Sequence, residues 1–239
     1  MVHFLSQLAG WFTNGDHWQG SGGVPHRVIE HLSMSGAAML AALVLALPVS
    51  LVLGHTGRGG FLAINISNIG RAVPSFAILV LGEQVLGIGA KPAFVALVAL
   101  AVPPIVTNTY TAIRQVDPDL RDAARGMGMT GGQILRRVEW PVAVPLIFAG
   151  IRTAGVQVVA TATLAAVIAW GGLGRYIIDG IAQRDHIQVF AGALLVVVLS
   201  ALTEVGLGTL QRAVTPAGLR KARLRPAAAE HREIVVVAA

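Results

Sequence analysis

The glycine-rich stretch of Gly126, Gly128 and Gly131 is the first place where residue type and spacing could do chemistry. It matches the G-x-G-x-x-G pattern that holds dinucleotide phosphates, but that pattern needs a preceding strand within a βαβ unit. A polar helix is expected before Gly126, so we interpret the match as accidental. The chain also lacks a Gly-x-x-x-x-Gly-Lys-Ser/Thr sequence, the phosphate cradle of many ATPases. If this chain takes part in a process driven by ATP, the ATP is therefore expected to be hydrolysed by a separate subunit.

His26, Glu30 and His31 carry side chains that ligate metal ions, but their spacing fits no zinc-protease pattern. Cysteine is absent, which removes disulfides, thiolate nucleophiles and Cys-based metal sites. We therefore predict no metal site and no catalytic residues. These three residues are interpreted as an exposed segment beside a membrane span.

Arg152 and Glu204 are charged residues within otherwise apolar stretches. With the spans predicted below and a rise of about 1.5 Å per residue, both lie at similar depth in the bilayer. Because an unpaired charge in hydrocarbon is costly, such residues usually pair. We predict an ion pair between Arg152 and Glu204 that braces two helices. The alternative is that each faces a polar cavity or extends toward the interface.

The composition predicts that membrane helices position these residues. The chain is 54% hydrophobic and 13% charged, against about 25% charged residues in a typical soluble domain. Several stretches without Asp, Glu, Lys or Arg approach or exceed the roughly 20 residues that a span needs; they are residues 31–57, 92–113, 153–174 and 186–203. We predict an all-α integral membrane protein with about five transmembrane helices, at about 33–54, 73–90, 91–111, 142–166 and 187–211.

The basic residues are unevenly divided between the two sides of these spans. Twelve lie in one set of connections, namely Arg58, Arg114, Arg121, Arg125, Arg136, Arg137, Arg212, Arg220, Lys221, Arg223, Arg225 and Arg232. The other set holds four: Arg27, Lys91, Arg175 and Arg184. By the positive-inside rule, the N-terminus is outside, and the C-terminus and the 112–141 loop are cytoplasmic. Placement on membrane loops also argues against a nucleic-acid partner as the reason for the net charge of +6.

Three regions follow from this topology. Residues 1–30 are predicted to be an extracytoplasmic N-terminal segment, and residues 31–212 the transmembrane domain. Residues 213–239 are predicted to be a basic cytoplasmic tail, mostly disordered and in contact with anionic lipid headgroups.

The first half of the 112–141 loop is predicted to be a short amphipathic helix. Asp117 and Pro118 suit a helix start, and the helix is expected to run to about Met127. One apolar stripe is expected at i, i+3, i+4 and i+7, formed by Leu120, Ala123, Ala124 and Met127. The charged residues predicted to lie away from it are Arg121, Asp122 and Arg125.

The second half is predicted to be another short helix, after a break at Gly126 and Gly128. Thr130 and Gln133 fit a capping box at its start. Ile134, Leu135 and Val138 are expected to share a face before Pro141 opens the next span. A helix, turn and helix held by the ends of two spans could transmit a push from a docked protein. The alternative is an amphipathic loop lying on the bilayer.

This loop resembles the cytoplasmic "EAA" loop of bacterial ABC importer permeases, whose pattern is Glu-Ala-Ala, three residues, Gly, nine residues, then Ile-x-Leu-Pro. The present chain keeps that spacing with Asp122 for Glu, Val138 for Ile and Trp140 for Leu. The resemblance implies that the loop docks an ATPase through Asp122, Ala123, Ala124, Arg125, Gly126, Gly128, Thr130 and Pro141.

A wider resemblance covers about residues 26–212 and concerns the glycine betaine/carnitine/choline group of ABC permeases. Its clearest parts are residues 123–130, 149–154 and 171–174. It implies a MetI-like type I importer in the bacterial inner membrane, with two permeases (the same or paralogous chains), two cytoplasmic ATPases and an extracytoplasmic binding protein. ATP and Mg would be bound by the ATPases, so no cofactor is expected on this chain. Solute would pass between the permeases by alternating access.

Two further segments carry predictions. Phe61–Arg71 mixes apolar and polar residues and is a short helix candidate, either lining a polar path or starting the next span. Trp170–Gly174 is predicted to be an outer loop or re-entrant turn at the rim of a translocation path, with a plain flexible loop as the alternative.

Three alternatives to an osmoprotectant importer remain at this point. Within the importer class, the cargo could be methionine or another small solute. An ion-coupled secondary transporter would need acidic residues at midplane, and Glu204 is the one candidate. A membrane scaffold without transport would tolerate bulky changes at Asp122 and Gly128.

Overall fold

The computed structural model describes residues 2–61, 65 and 75–216, and its regular elements are helices. The α-helices are α1 (Val2–Thr13), α2 (Val24–Thr56), α3 (Ser75–Leu86), α4 (Ala90–Arg114), α5 (Pro118–Gly126), α6 (Gly131–Ile134), α7 (Trp140–Thr161), α8 (Gly174–Gln183) and α9 (His186–Val214). Most of the Phe61–Arg71 helix candidate and nearly all of the basic tail lie outside the described residues.

Among the described residues, four helical stretches are long and apolar enough to cross a membrane: Val24–Thr56, Ala90–Arg114, Gly131–Ile168 and His186–Val214. They correspond to four of the five predicted spans. The predicted span at 73–90 begins outside the described residues, and its described part includes α3, which has 12 residues.

The α2–α4 contact is made by small residues. Ala38, Ala42 and Ala46 repeat every four residues along α2 and are buried, opposite Ala93 and other buried residues of α4. Small side chains let two helix backbones approach closely, which is how membrane helices gain packing energy in apolar surroundings. α4 in turn packs on α7, and α7 on α9.

The N-terminal segment contains a helix that the sequence reading did not predict. α1 packs on α9, with the rings of Phe4 and Phe190 4.9 Å apart. Near its end the buried Trp11 stacks on His17 and meets Tyr176 edge-on. The sequence signal for this helix is the helical spacing of its aromatic and aliphatic residues. Ser6 and Gln7 interrupt the apolar run and make that spacing hard to recognise.

Candidate coupling site

The first helix of the loop between α4 and α7 begins and ends close to where the sequence predicts. The Asp117 side chain accepts a hydrogen bond from the Asp119 backbone N–H at 2.9 Å, which caps the start of α5. Pro118 occupies the first turn, where its missing N–H costs nothing. α5 ends at Gly126.

The face of α5 that turns inward differs from the predicted apolar stripe. Ala124 is buried, with 1% of its surface exposed, whereas Leu120 and Met127 are 47% and 75% exposed. Arg121 lies away from these exposed residues, as predicted, and it points inward together with Ala124, because residues three apart share a helix face. The exposed side of α5 therefore carries Leu120, Ala123 and Met127.

The turn after α5 is made by one glycine rather than two. Gly128 has φ +80°, a left-handed conformation that favours glycine, while Gly126 is the last residue of α5 and has no positive φ. The Thr130 backbone N–H then donates to the Gln133 side chain at 2.8 Å, which is one half of a capping box.

The second helix of the loop is continuous with the following span, contrary to the predicted separate unit. α6 passes into a π-helical turn, Leu135–Glu139, and directly into α7. Such single π-turns recur at functional sites within long helices. Pro141 lies in the first turn of α7, where proline is tolerated. The helix that forms this span therefore begins within the loop, at Gly131.

The base of the loop holds a buried carboxylate that the sequence reading missed. Glu139 is 1% exposed. Its Oε1 lies 2.9 Å from Arg121 Nε, and its Oε2 lies 2.7 Å from His55 Nδ1 at the end of α2. The one sequence signal was the presence of an acid inside a stretch whose neighbours at Val138 and Trp140 are apolar.

The predicted docking residues lie on different sides of this loop. Asp122, Ala123 and Arg125 are exposed, and Asp122 pairs with Arg125 at 2.9 Å. Gly126, Gly128 and Thr130 are exposed around the turn. Ala124 faces the chain's own interior and Pro141 is half-buried, so these two lie on the side that holds the loop in place.

Arg152 and Glu204 lie together across α7 and α9. Arg152 Nε donates to Glu204 Oε1 at 2.7 Å, and a second guanidinium nitrogen contacts the same oxygen. Gln211 lies about two turns beyond Glu204 on α9, and its side-chain amide donates to the Pro145 carbonyl at 2.8 Å. These polar contacts join α7 and α9 at two places.

The loop at residues 170–173, between α7 and α8, is held by two side chains of α2. The Gly172 N–H donates to Glu30 Oε2 at 2.8 Å, and the Leu173 N–H donates to His31 Nδ1 at 3.3 Å. His31 Nε2 lies 2.8 Å from the Val159 carbonyl, which fits a neutral imidazole carrying its proton on Nε2. Glu30 and His31 thus hold this loop against α2.

Two positions of this loop require glycine, Gly171 because of space and Gly172 because of its backbone conformation. A Cβ on Gly171 would lie 2.3 Å from Glu30 Oε2, and Gly172 has φ +80°. Nearby, burial raises the pKa of the Tyr176 hydroxyl, which donates to the Gly22 carbonyl at 2.7 Å. The loop is therefore packed and bonded, which differs from a plain flexible connection.

Known proteins similar to this chain are transport subunits. The choline transport system permease protein OpuBB of Bacillus subtilis is 38% identical over 82% of this chain and 90% of its own length. The osmoprotectant import permease protein OsmW of Salmonella typhimurium is 35% identical over 92% of this chain and 99% of its own length.

Similarity also extends to solved structures. A chain from the inward-facing MetNI methionine ABC transporter superposes with a TM-score of 0.68 at 27% identity, covering 78% of this chain and 94% of its own. Residues 38–216 match the family described as "Binding-protein-dependent transport system inner membrane component". The helical spans, the loop between α4 and α7 and these similarities together show that the chain belongs to this family and is a multi-pass ABC importer permease, a transport subunit and not an enzyme.

Proposed function

We propose that this chain is the transmembrane permease of an ATP-driven importer for quaternary ammonium osmoprotectants such as glycine betaine, carnitine, choline and proline betaine. A separate ATPase would bind ATP and Mg and drive alternating access. The observation that carries this proposal is the loop between α4 and α7, which presents exposed apolar residues while its base is fixed to membrane helices. Leu120 and Met127 form an apolar surface that a partner protein would cover.

The partners follow from the same reading. Two ATPase subunits would dock on the loops of two permeases, either two copies of this chain or this chain and a paralogue. An extracytoplasmic binding protein would deliver the solute. The orientation that suits this assembly places the N-terminus outside and the loop and C-terminus in the cytoplasm, as the positive charges predict.

The cargo class is supported by the relatives, whose names specify choline and osmoprotectant transport. A quaternary ammonium cation is best held by several aromatic faces. This chain has two Tyr, four Trp and seven Phe in 239 residues, so we expect the aromatic cage on the binding protein. Methionine is the second candidate, because the solved structures similar to this chain include a methionine transporter.

The test is uptake by proteoliposomes that contain this chain, its ATPase and its binding protein. We expect radiolabelled glycine betaine to accumulate only with ATP and with the ATPase present. Accumulation driven by an ion gradient without ATP would instead establish a secondary transporter. Unlabelled choline, carnitine and methionine, added as competitors, would identify the cargo: competition by methionine alone would replace the osmoprotectant assignment.

A loop variant completes the same experiment. Gly128→Val puts a β-branched residue at φ +80°, which strains the turn. We expect it to lower both uptake and recovery of the ATPase with the tagged permease. Gly132→Ala is the matched control, since a Cβ there meets nothing within 4 Å. Equal uptake by Gly128→Val and the control would argue against docking through this loop.

A further inference from the structure

Glu139 is the buried anionic centre at the cytoplasmic end of the permease. A carboxylate that is 1% exposed needs partners for both oxygens, because burying an unpaired charge is costly. Here Arg121 Nε lies 2.9 Å from one oxygen and His55 Nδ1 lies 2.7 Å from the other. Each partner comes from a different helix, α5 and α2.

Two more contacts extend this cluster. A terminal nitrogen of Arg121 donates to the Ile113 carbonyl in the last turn of α4. His55 also lies close to the start of α6, because a Cβ on Gly131 would come 3.2 Å from its Nε2. The cluster of His55, Arg121 and Glu139 therefore meets α2, α4, α5, α6 and the start of α7.

The contact with α2 has particular importance, because the loop is joined covalently only to α4 and α7. The loop follows α4 and leads into α7 along the chain, so any movement of α5 reaches those two helices directly. His55 lies 84 residues before Glu139, in the last turn of α2, and its contact with Glu139 joins the loop to the cytoplasmic end of α2. A rigid ionic contact can transmit displacement between packed elements that a flexible surface contact would dissipate.

We propose that Glu139 is a positioning residue that couples the docked helix α5 to α2 through Arg121 and His55. This inference rests on the proposed function, since it assigns a route for movement that begins at a docked ATPase. When α5 is displaced, the cluster carries the cytoplasmic end of α2 with it. Transport then depends on three helices moving together rather than on α4 and α7 alone.

The variant that tests this role is the double substitution Arg121→Met/Glu139→Met. Removing one charge strands the other in a buried place, whereas replacing a whole buried pair by apolar residues of similar size often preserves folding. The double variant is therefore expected to fold and bind the ATPase while lacking the contact to His55. Arg136→Met is the control, because Arg136 is exposed on the adjacent π-turn and lies outside the cluster.

The first measurement is a distance between two spin labels. The chain has no cysteine, so Thr56→Cys at the end of α2 and Asp119→Cys on α5 label two exposed positions on either side of the cluster. In the otherwise native complex we expect one narrow distance distribution, unchanged between nucleotide-free and ATP-trapped states. The double Met variant should give a broadened distribution, and Arg136→Met should match the native complex.

The second measurement is uptake per ATP hydrolysed in proteoliposomes. We expect the double variant to keep its ATPase activity but to lose about tenfold in uptake per ATP, within the range typical of coupling between sites. A native distance distribution, or native uptake per ATP, in the double variant would overturn the proposal. If the unmodified complex takes up no osmoprotectant, the proposed function fails instead, and the spin-label distances still decide whether the cluster holds α2 to the loop.

Discussion

Arg152 and Glu204 show how far residue-level reasoning reaches in a membrane protein. Both side chains retain exposure, 41% and 40%, in a chain without its lipid or partners. Their pairing could be predicted because each is a solitary charge in an apolar stretch and each lies at a similar depth. The contact between their side chains in the structure favours this pairing over the alternative that each faces a polar cavity.

Charge reversal tests this pair. Arg152→Glu and Glu204→Arg, made singly, should each lower the thermal midpoint of the detergent-purified protein, because each places like charges across α7 and α9. The double reversal should recover most of that loss. Fluorescence-detected gel filtration after heating measures the midpoint, and a double variant no more stable than the singles would show that the contact does not brace the helices.

Glu139 and Arg121 could not be predicted in the same way. The apolar residues of α5 predict one stripe of Leu120, Ala123, Ala124 and Met127, but only Ala124 of these four is buried. The inward face is set instead by Glu139, whose other partner His55 lies in a different helix. A helix that docks a partner is apolar on its outer side, so periodicity alone does not identify which side faces its own chain.

At the scale of helices, the existence of the spans follows from composition, while their ends depend on tertiary contacts. Apolar windows located four of the long helices, because hydrocarbon requires continuous apolar runs. α2 begins about nine residues before its predicted start, at Val24, because its outer turns bind the 170–173 loop. α1 and the π-turn before α7 were missed, since neither is required by hydrophobic periodicity.

A matched glycine pair tests the packing between α4 and α7. A Cβ on Gly150 would lie 2.5 Å from Asn108 Cβ and 2.9 Å from the Pro104 carbonyl, whereas a Cβ on Gly206 of α9 meets nothing within 4 Å. Gly150→Ala should therefore destabilise the fold by about 1–3 kcal/mol through overpacking. Gly206→Ala should be neutral or stabilising by up to about 1 kcal/mol, because alanine favours helix.

Thermal midpoints of the two purified variants in the same detergent provide the comparison. Both substitutions add one methyl group to a membrane helix, so general effects of composition cancel. A Gly150→Ala protein as stable as Gly206→Ala would show that α4 and α7 separate without loss.

For the whole molecule, the charge distribution predicts the orientation in the membrane, and this prediction can be tested directly because the chain has no cysteine. Gln183→Cys at the end of α8 and Asp119→Cys on α5 are both exposed positions. With a membrane-impermeant maleimide, Gln183→Cys should react in intact spheroplasts and Asp119→Cys only after lysis. The reverse pattern would invert the predicted topology and remove the loop from the ATPase side.

His31 and His55 of α2 set a condition on the length of this helix that the bilayer does not. His31 holds the outer loop and His55 meets Glu139 at the other end, roughly 36 Å apart along a straight helix. Adding one residue between them would lengthen the helix by about 1.5 Å and turn one histidine about 100° relative to the other. Both rings would then no longer face their partners at once. The contacts at its two ends therefore fix both the length and the rotational register of α2. Substitutions on its lipid-facing side leave both contacts intact, but the insertion or deletion of a single residue breaks one of them.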